Sequence, residues 1–226
     1  MLLKDWIQKD CVSVTPDTNL LTCKSLFKEH GVNRIPVVDA NNKVIGLISN
    51  NDIKEFQPQH TTGLEILEMI DILEETPTSQ IMFHNPVTIN INTTVEIAAL
   101  TMDDHKIGFL PVVDDAGKLL GTITGVDIFK AFIRITGVRD RGVQISFLLE
   151  NKPGTLRAKL DILKEYGARV ISVLSVITNE GKRNVTLRFL STQPDKEEQL
   201  ISDLSNDESV VYWGKDGILR YFSDKA

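Results

Sequence analysis

Apolar residues in the first half of the chain alternate between two rhythms. Leu20, Cys23 and Phe27, with His30 one turn on, keep helical spacing, and so do Val95, Ala98 and Met102. Each helical stretch is followed by two extended runs. These are RIPVVD and KVIGLIS in the first case, FLPVVD and KLLGTIT in the second. The joints between them, ANN and DAG, contain residues that accept the positive φ of a tight hairpin. A short extended piece, CVSVTP or PVTINI, precedes each helix. Thr18 and Thr93 stand where the helices should open, and Thr93-x-x-Glu96 has the spacing of a capping box. A last helix is expected from Ser49 or Thr124. The pattern predicts the same β-α-β-β-α unit twice.

A shift of 75 residues superposes the two units without a gap. It places Pro36-Val37-Val38-Asp39 on Pro111-Val112-Val113-Asp114, Gly46 on Gly121, and Asp52-Ile53 on Asp127-Ile128. Two copies of a unit of this size suggest a pseudo-twofold pair burying a shared face. The copies are joined by residues 54–79. There Thr62-x-x-Glu65 reads as a helix start and Ile66, Leu67, Ile70 and Leu73 as an apolar stripe opposite an acidic face. The helix after Asp127 should end at Gly137, and VRDRG reads as a charged linker.

From about residue 142 the 75-residue register is lost. GVQISFLLE reads as a strand. NKPGTLRAKLDILKEYGA reads as a helix with Pro near its start and Leu156, Leu160 and Leu163 inward. RVISVLSVIT and RNVTLRFLS read as strands turned by NEGK. PDKEEQLISDLS reads as a helix with Leu200, Ile201 and Leu204 inward, ESVVYWG as a closing strand, and RYFSDKA as a tail. The order β-α-β-β-α-β is ferredoxin-like, so the fold class is α+β.

Composition narrows the function classes. A hydrophobic share of 42% and a charged share of 25% describe an ordinary globular chain, and a net charge of −6 gives no field to recruit nucleic acid or anionic lipid. No apolar run has the length of a membrane span, and the N-terminus lacks a secretory core, so a cytoplasmic setting is expected. Cys11 and Cys23 have no metal spacing, and His60 and His84 have no ligand partners, so no metal is expected. No nucleophile, phosphate-loop or zinc motif occurs, and no catalytic residue is assigned.

The candidate chemistry lies in Ser49-x-x-Asp52 and Thr124-x-x-Asp127. Each can be a capping box and nothing more. The same geometry also suits a nucleotide. A helix mouth attracts phosphate, the hydroxyl beside it donates, and the carboxylate one turn on can accept ribose hydroxyls. Gly46 and Gly121 would allow close approach. Ile35-Pro36 and Leu110-Pro111 would offer an apolar slot for a base, with a ladder donor removed at each Pro. Arg34 could reach a phosphate, and Phe109 holds its place in the second copy. On this count the first copy is the richer cleft.

The blocks RIPVVD…GLISNND and FLPVVD…GTITGVD resemble CBS domains, and the pair resembles a Bateman module. ENKPGTL resembles the strand-loop-helix signature of an ACT domain. Two CBS copies followed by one ACT domain resemble the AcuB-like acetoin-utilisation accessory family. The resemblance implies CBS domains at 1–60 and 80–138, a connector at 61–79 and an ACT domain at 142–222. It implies a regulatory protein without catalysis that binds an adenosine nucleotide such as AMP or ATP, or in some relatives S-adenosylmethionine or cyclic di-AMP. The implied nucleotide contacts are Arg34, Ile35, Pro36, Ser49 and Asp52 in one cleft and Phe109, Leu110, Pro111, Thr124 and Asp127 in the other. It also implies an amino acid near Asn151, Pro153 and Gly154, a homodimer, and a partner protein. The alternative is a ligand-free dimeric scaffold.

Overall fold

The computed structural model describes residues 1–56, 63–215 and 218–222. Thr62 and His60 therefore lie outside the described residues. The chain divides into two compact units, Met1–Phe129 and Lys130–Ala226.

In the first unit, α1 (Leu20–His30) leads to β1 (Arg34–Val38) and β2 (Val44–Ser49), then α2 (Asn50–Phe56) and α3 (Gly63–Glu75). The second copy repeats this with β3 (Phe83–His84) and β4 (Ile89–Asn90) ahead of α4 (Val95–Asp104), β5 (Phe109–Val113), β6 (Leu119–Thr124) and α5 (Gly125–Thr136). The expected hairpins are present, antiparallel, with Asn42 at φ 63° and Gly117 at φ 80° in matching places. Asp39 and Asp114 stiffen these turns by accepting from the amides of Lys43 and Lys118, each at 2.9 Å. The expected inward residues Leu20, Cys23, Phe27, Val95, Ala98 and Met102 are buried.

Several local expectations shift. The helices are capped by Asn19, accepting from Thr22 N at 2.8 Å, and by Thr94, accepting from Ile97 N at 3.4 Å. Thr18 and Thr93 each stand one residue too early. Thr18 Oγ1 instead accepts from Thr15 N, and the Glu96 carboxylate bonds the Met1 amino group. The first strand of copy one shrinks to a single bridge, Val14 to Val37. That bridge occupies the β1 edge at Pro36, where a ladder donor is missing, because the Pro36 carbonyl accepts from Val14 N at 3.0 Å. On α3 only Leu73 of the described stripe is buried, while Leu67 and Ile70 face solvent.

The copies exchange their lead-ins. β3 pairs with β2 of the first copy (Phe83 with Leu47, His84 with Gly46). At the matching place in the second copy, Gln8 bridges Thr122, with reciprocal bonds of 2.9 and 3.0 Å. The two glycines expected to meet a ligand meet these lead-ins instead. A Cβ on Gly46 would lie 2.4 Å from Met82 Sδ, and one on Gly121 would lie 2.5 Å from the Gln8 carbonyl oxygen. The flexible thioether can yield and the backbone carbonyl cannot. Gly121→Ala is therefore expected to cost about 1–3 kcal/mol by overpacking, and Gly46→Ala less, as read by urea unfolding.

In the second unit, β7 (Val143–Leu149), α6 (Thr155–Glu165), β8 (Arg169–Ile177), β9 (Arg183–Leu190), α7 (Pro194–Ser205), β10 (Val210–Lys215) and β11 (Ile218–Tyr221) follow in chain order. The sheet order is β11-β10-β7-β9-β8, with every pairing antiparallel. The last four strands of that order, β10-β7-β9-β8, have the ferredoxin-like arrangement. Phe147, Phe189, Leu163, Leu200 and Leu204 form a core under α6 and α7. Residues 218–221, of which Arg220 and Tyr221 were expected to belong to the tail, are a fifth strand paired with β10. The helix expected to start near Pro153 starts at Thr155, with Gly154 at φ 89° before it, so Pro153 belongs to the turn. VRDRG is held to the sheet. Arg188 donates to the carbonyls of Thr136 at 3.0 Å and Arg141 at 3.3 Å.

Candidate functional site

Both Ser/Thr-x-x-Asp phrases form capping boxes. Ser49 N donates to Asp52 Oδ2 at 2.6 Å, and Asp52 N donates to Ser49 Oγ at 3.2 Å. Thr124 N and Oγ1 donate to Asp127 Oδ2 at 3.0 and 2.6 Å, and Asp127 N donates to Thr124 Oγ1 at 3.3 Å. The environments then diverge. Asp52 is half-buried, whereas Asp127 is 4% exposed. Gln8, brought in by the exchanged lead-in, donates from Nε2 to Asp127 Oδ2 at 3.2 Å and Oδ1 at 3.4 Å.

Above this second helix mouth lies a cavity of about 680 Å³. Thr124, Gly125 and Phe129 supply one wall, Gln8 to Val12 a second, and His30 to Arg34 a third. Pro36 and Phe109 also line it. The cavity gathers Arg34, Pro36, Phe109 and Thr124 from the expected nucleotide contacts. It joins Arg34 of copy one to the cleft of copy two. Ile35 and Leu110 are fully buried, Ile35 among Val37, Ile48 and Phe27, so neither side chain lines a base slot. Pro111 is buried in β5. Ser49, Asp52 and Asp127 are not on this cavity's wall; Asp127 lies behind it, bonded to the lining residues Thr124 and Gln8.

Lining residues outside the sequence-predicted contacts include Gln8, Asp10, Cys11, His30 and Phe129. Burial pushes the Cys11 thiol up from its ordinary range and the neighbouring Asp10 charge adds to this, so it stands as a neutral thiol. Cys23 is likewise pushed up by burial and lies 3.2 Å from Thr78 Oγ1, which gives it a packing role. Among the described residues no group of His, Cys, Asp and Glu is arranged to hold a metal, and no helix is long and apolar enough to cross a membrane.

Asn151, Pro153 and Gly154 share one exposed turn. Thr155 Oγ1 fastens it through the carbonyls of Glu150 at 3.1 Å and Lys152 at 3.0 Å. Two cavities in the second unit, of about 240 and 350 Å³, are lined by other residues.

Comparison with known proteins agrees with the doubled fold. The CBS domain family model matches residues 3–58 and 79–134. A CBS domain-containing protein of Dictyostelium discoideum is 30% identical over 141 residues, covering 60% of this chain and 93% of that protein. The L-aspartate semialdehyde sulfurtransferase of Methanocaldococcus jannaschii is 26% identical over 131 residues, but the match spans 58% of this chain and only 23% of that enzyme. A crystal structure assigned as an acetoin utilization protein, AcuB, from Vibrio cholerae covers 62% of this chain and 96% of its own, with 25% identity and a TM-score of 0.50.

Proposed function

The chain belongs to the CBS-domain family, and on that premise we propose that it is a non-catalytic sensor that takes an adenosine nucleotide in the cavity above Asp127. One observation carries the reading. A cavity of nucleotide size brings a hydroxyl at a helix mouth, a guanidinium and apolar ring surface to one place, through Thr124, Arg34 and Phe129. The ribose would meet the Asp127 carboxylate, and the base would lie against the apolar wall. Thr124 and Arg34 would face phosphate.

α5 starts at the cavity, and the boundary between the two units falls within it. Its Thr136 carbonyl accepts from Ser172 Oγ and Arg188 Nε, both at 3.0 Å. A ligand that favours one setting of this helix over another can bias the second unit or a partner protein. We read the second unit as an ACT-type module, supported by its strand order and its ENKPGTL loop, with an amino acid as ligand class at the 151–154 turn. A homodimer is the proposed assembly, supported by exposed apolar residues along α5, Phe129 and Phe132 among them.

A ligand-free scaffold is the second reading, and the Gln8 carboxamide already seated on Asp127 favours it. Calorimetry on folded protein separates the two. Heat with adenosine or AMP supports the sensor, and silence with both supports the scaffold. Gln8→Ala sharpens the test. In the sensor, the ribose must displace that carboxamide, and a hydrogen bond to a charged group is worth roughly 1.5 kcal/mol at its weaker end. Removing it is expected to raise nucleotide affinity about tenfold.

A further inference from the structure

We infer that the Asp127 cavity selects an adenosine compound with a single phosphate and discriminates against the triphosphate, an inference that rests on the reading of the site given above. Among the described residues on its wall, Arg34 is the one guanidinium and there is no lysine. One planar guanidinium engages one phosphoryl group through two parallel bonds. Two amides of the helix mouth are already engaged within the protein, which limits what it adds. Gly125 N donates to the Gly108 carbonyl at 3.0 Å, and Asp127 N donates to Thr124 Oγ1 at 3.3 Å.

The opposing charges are close. Asp10 lines the same cavity, and Asp127 lies directly behind Thr124. A monophosphate brings a charge of about −1.5 to −2 near neutral pH. Two carboxylates against one guanidinium, with the His30 imidazole also on the described wall, leave too little positive charge to neutralise two further phosphates. A chain of net charge −6 supplies no compensating field.

Titration calorimetry with adenosine, AMP and ATP, in buffer without divalent cations, tests this on the full chain. AMP is expected to bind about tenfold more tightly than both adenosine and ATP. Arg34 is exposed, so Arg34→Gln should fold normally, and it is expected to bring AMP down to the affinity of adenosine while leaving adenosine unchanged. ATP binding as tightly as AMP, or AMP retaining its advantage in Arg34→Gln, overturns the single-phosphate inference and leaves the adenosine site standing. No binding by any of the three, adenosine included, overturns the site itself and this inference with it.

Discussion

Asp127→Ala is expected to lower the affinity of the cavity for AMP by roughly 10- to 100-fold, corresponding to about 1.5–3 kcal/mol for lost hydrogen bonds to a charged group. The carboxylate is nearly sealed from water, and its Oδ2 is committed to Thr124 N and Oγ1. Oδ1 accepts from Gln8 Nε2 at 3.4 Å, a long contact, and that is the oxygen assigned to a ribose hydroxyl in the proposed site. The substitution also removes a capping partner, which costs about 0.5–2 kcal/mol of stability. A fall in affinity could therefore reflect a frayed helix. Asp52→Ala is the internal control. It deletes the same kind of partner from Ser49 N, at a helix mouth that does not line the cavity, whereas Thr124 and Gly125 at the mouth held by Asp127 do. Both variants should lose comparable stability in thermal unfolding. Only Asp127→Ala should weaken the AMP site, with Asp52→Ala within about twofold of the unaltered protein. Equal affinity losses in both would assign the phrase to helix capping alone.

The double phrase was legible because everything it needs is local. Hairpin turns at Asn42 and Gly117, caps at Ser49 and Thr124, and apolar spacing on α1 and α4 are set by residues within a few positions of one another. What makes the two clefts unequal is not local. Gln8 reaches Asp127 across 119 residues, and no periodicity announces which copy a lead-in will join. The shift of 75 aligned the lead-ins of the two copies but could not reveal their exchange. The same limit misplaced Arg34, whose strand belongs to one copy and whose side chain lines the cavity of the other. Ile35 and Leu110 were misread for a simpler reason. In a strand, neighbours face opposite sides, so one of each Ile/Leu-Pro pair had to enter the core. β11 had a signal in the sequence that went unused: the dipeptide Asp216-Gly217 has the composition of a hairpin signal and stands between two β-forming runs.

Phe147→Ala is expected to cost about 3–5 kcal/mol in the second unit while leaving AMP binding intact. The ring is fully buried, and β7 sets Phe147 opposite Val185 on β9 and Val210 on β10. Phe189, Leu163 and Leu200 share its core, so truncation leaves a void that the sheet cannot collapse to fill. Such a loss is a large part of the ~5–15 kcal/mol that holds a domain of this size. A unit of under a hundred residues shifts by roughly 4–8 °C per kcal/mol, so its melting temperature should fall by more than ~10 °C. The cavity is lined wholly by residues of the first unit. AMP at a hundred times its dissociation constant should stabilise that unit by about 2.7 kcal/mol with or without Phe147. Scanning calorimetry should therefore show two transitions, one moved by AMP and the other by Phe147→Ala. A single transition moved by both would mean that the units fold as one cooperative block. Two transitions with loss of AMP binding in Phe147→Ala would mean that the second unit is needed to build the site. With two transitions and intact binding, the coupling between ligand and second unit can be read from a single number: how far AMP shifts the transition that it does not touch.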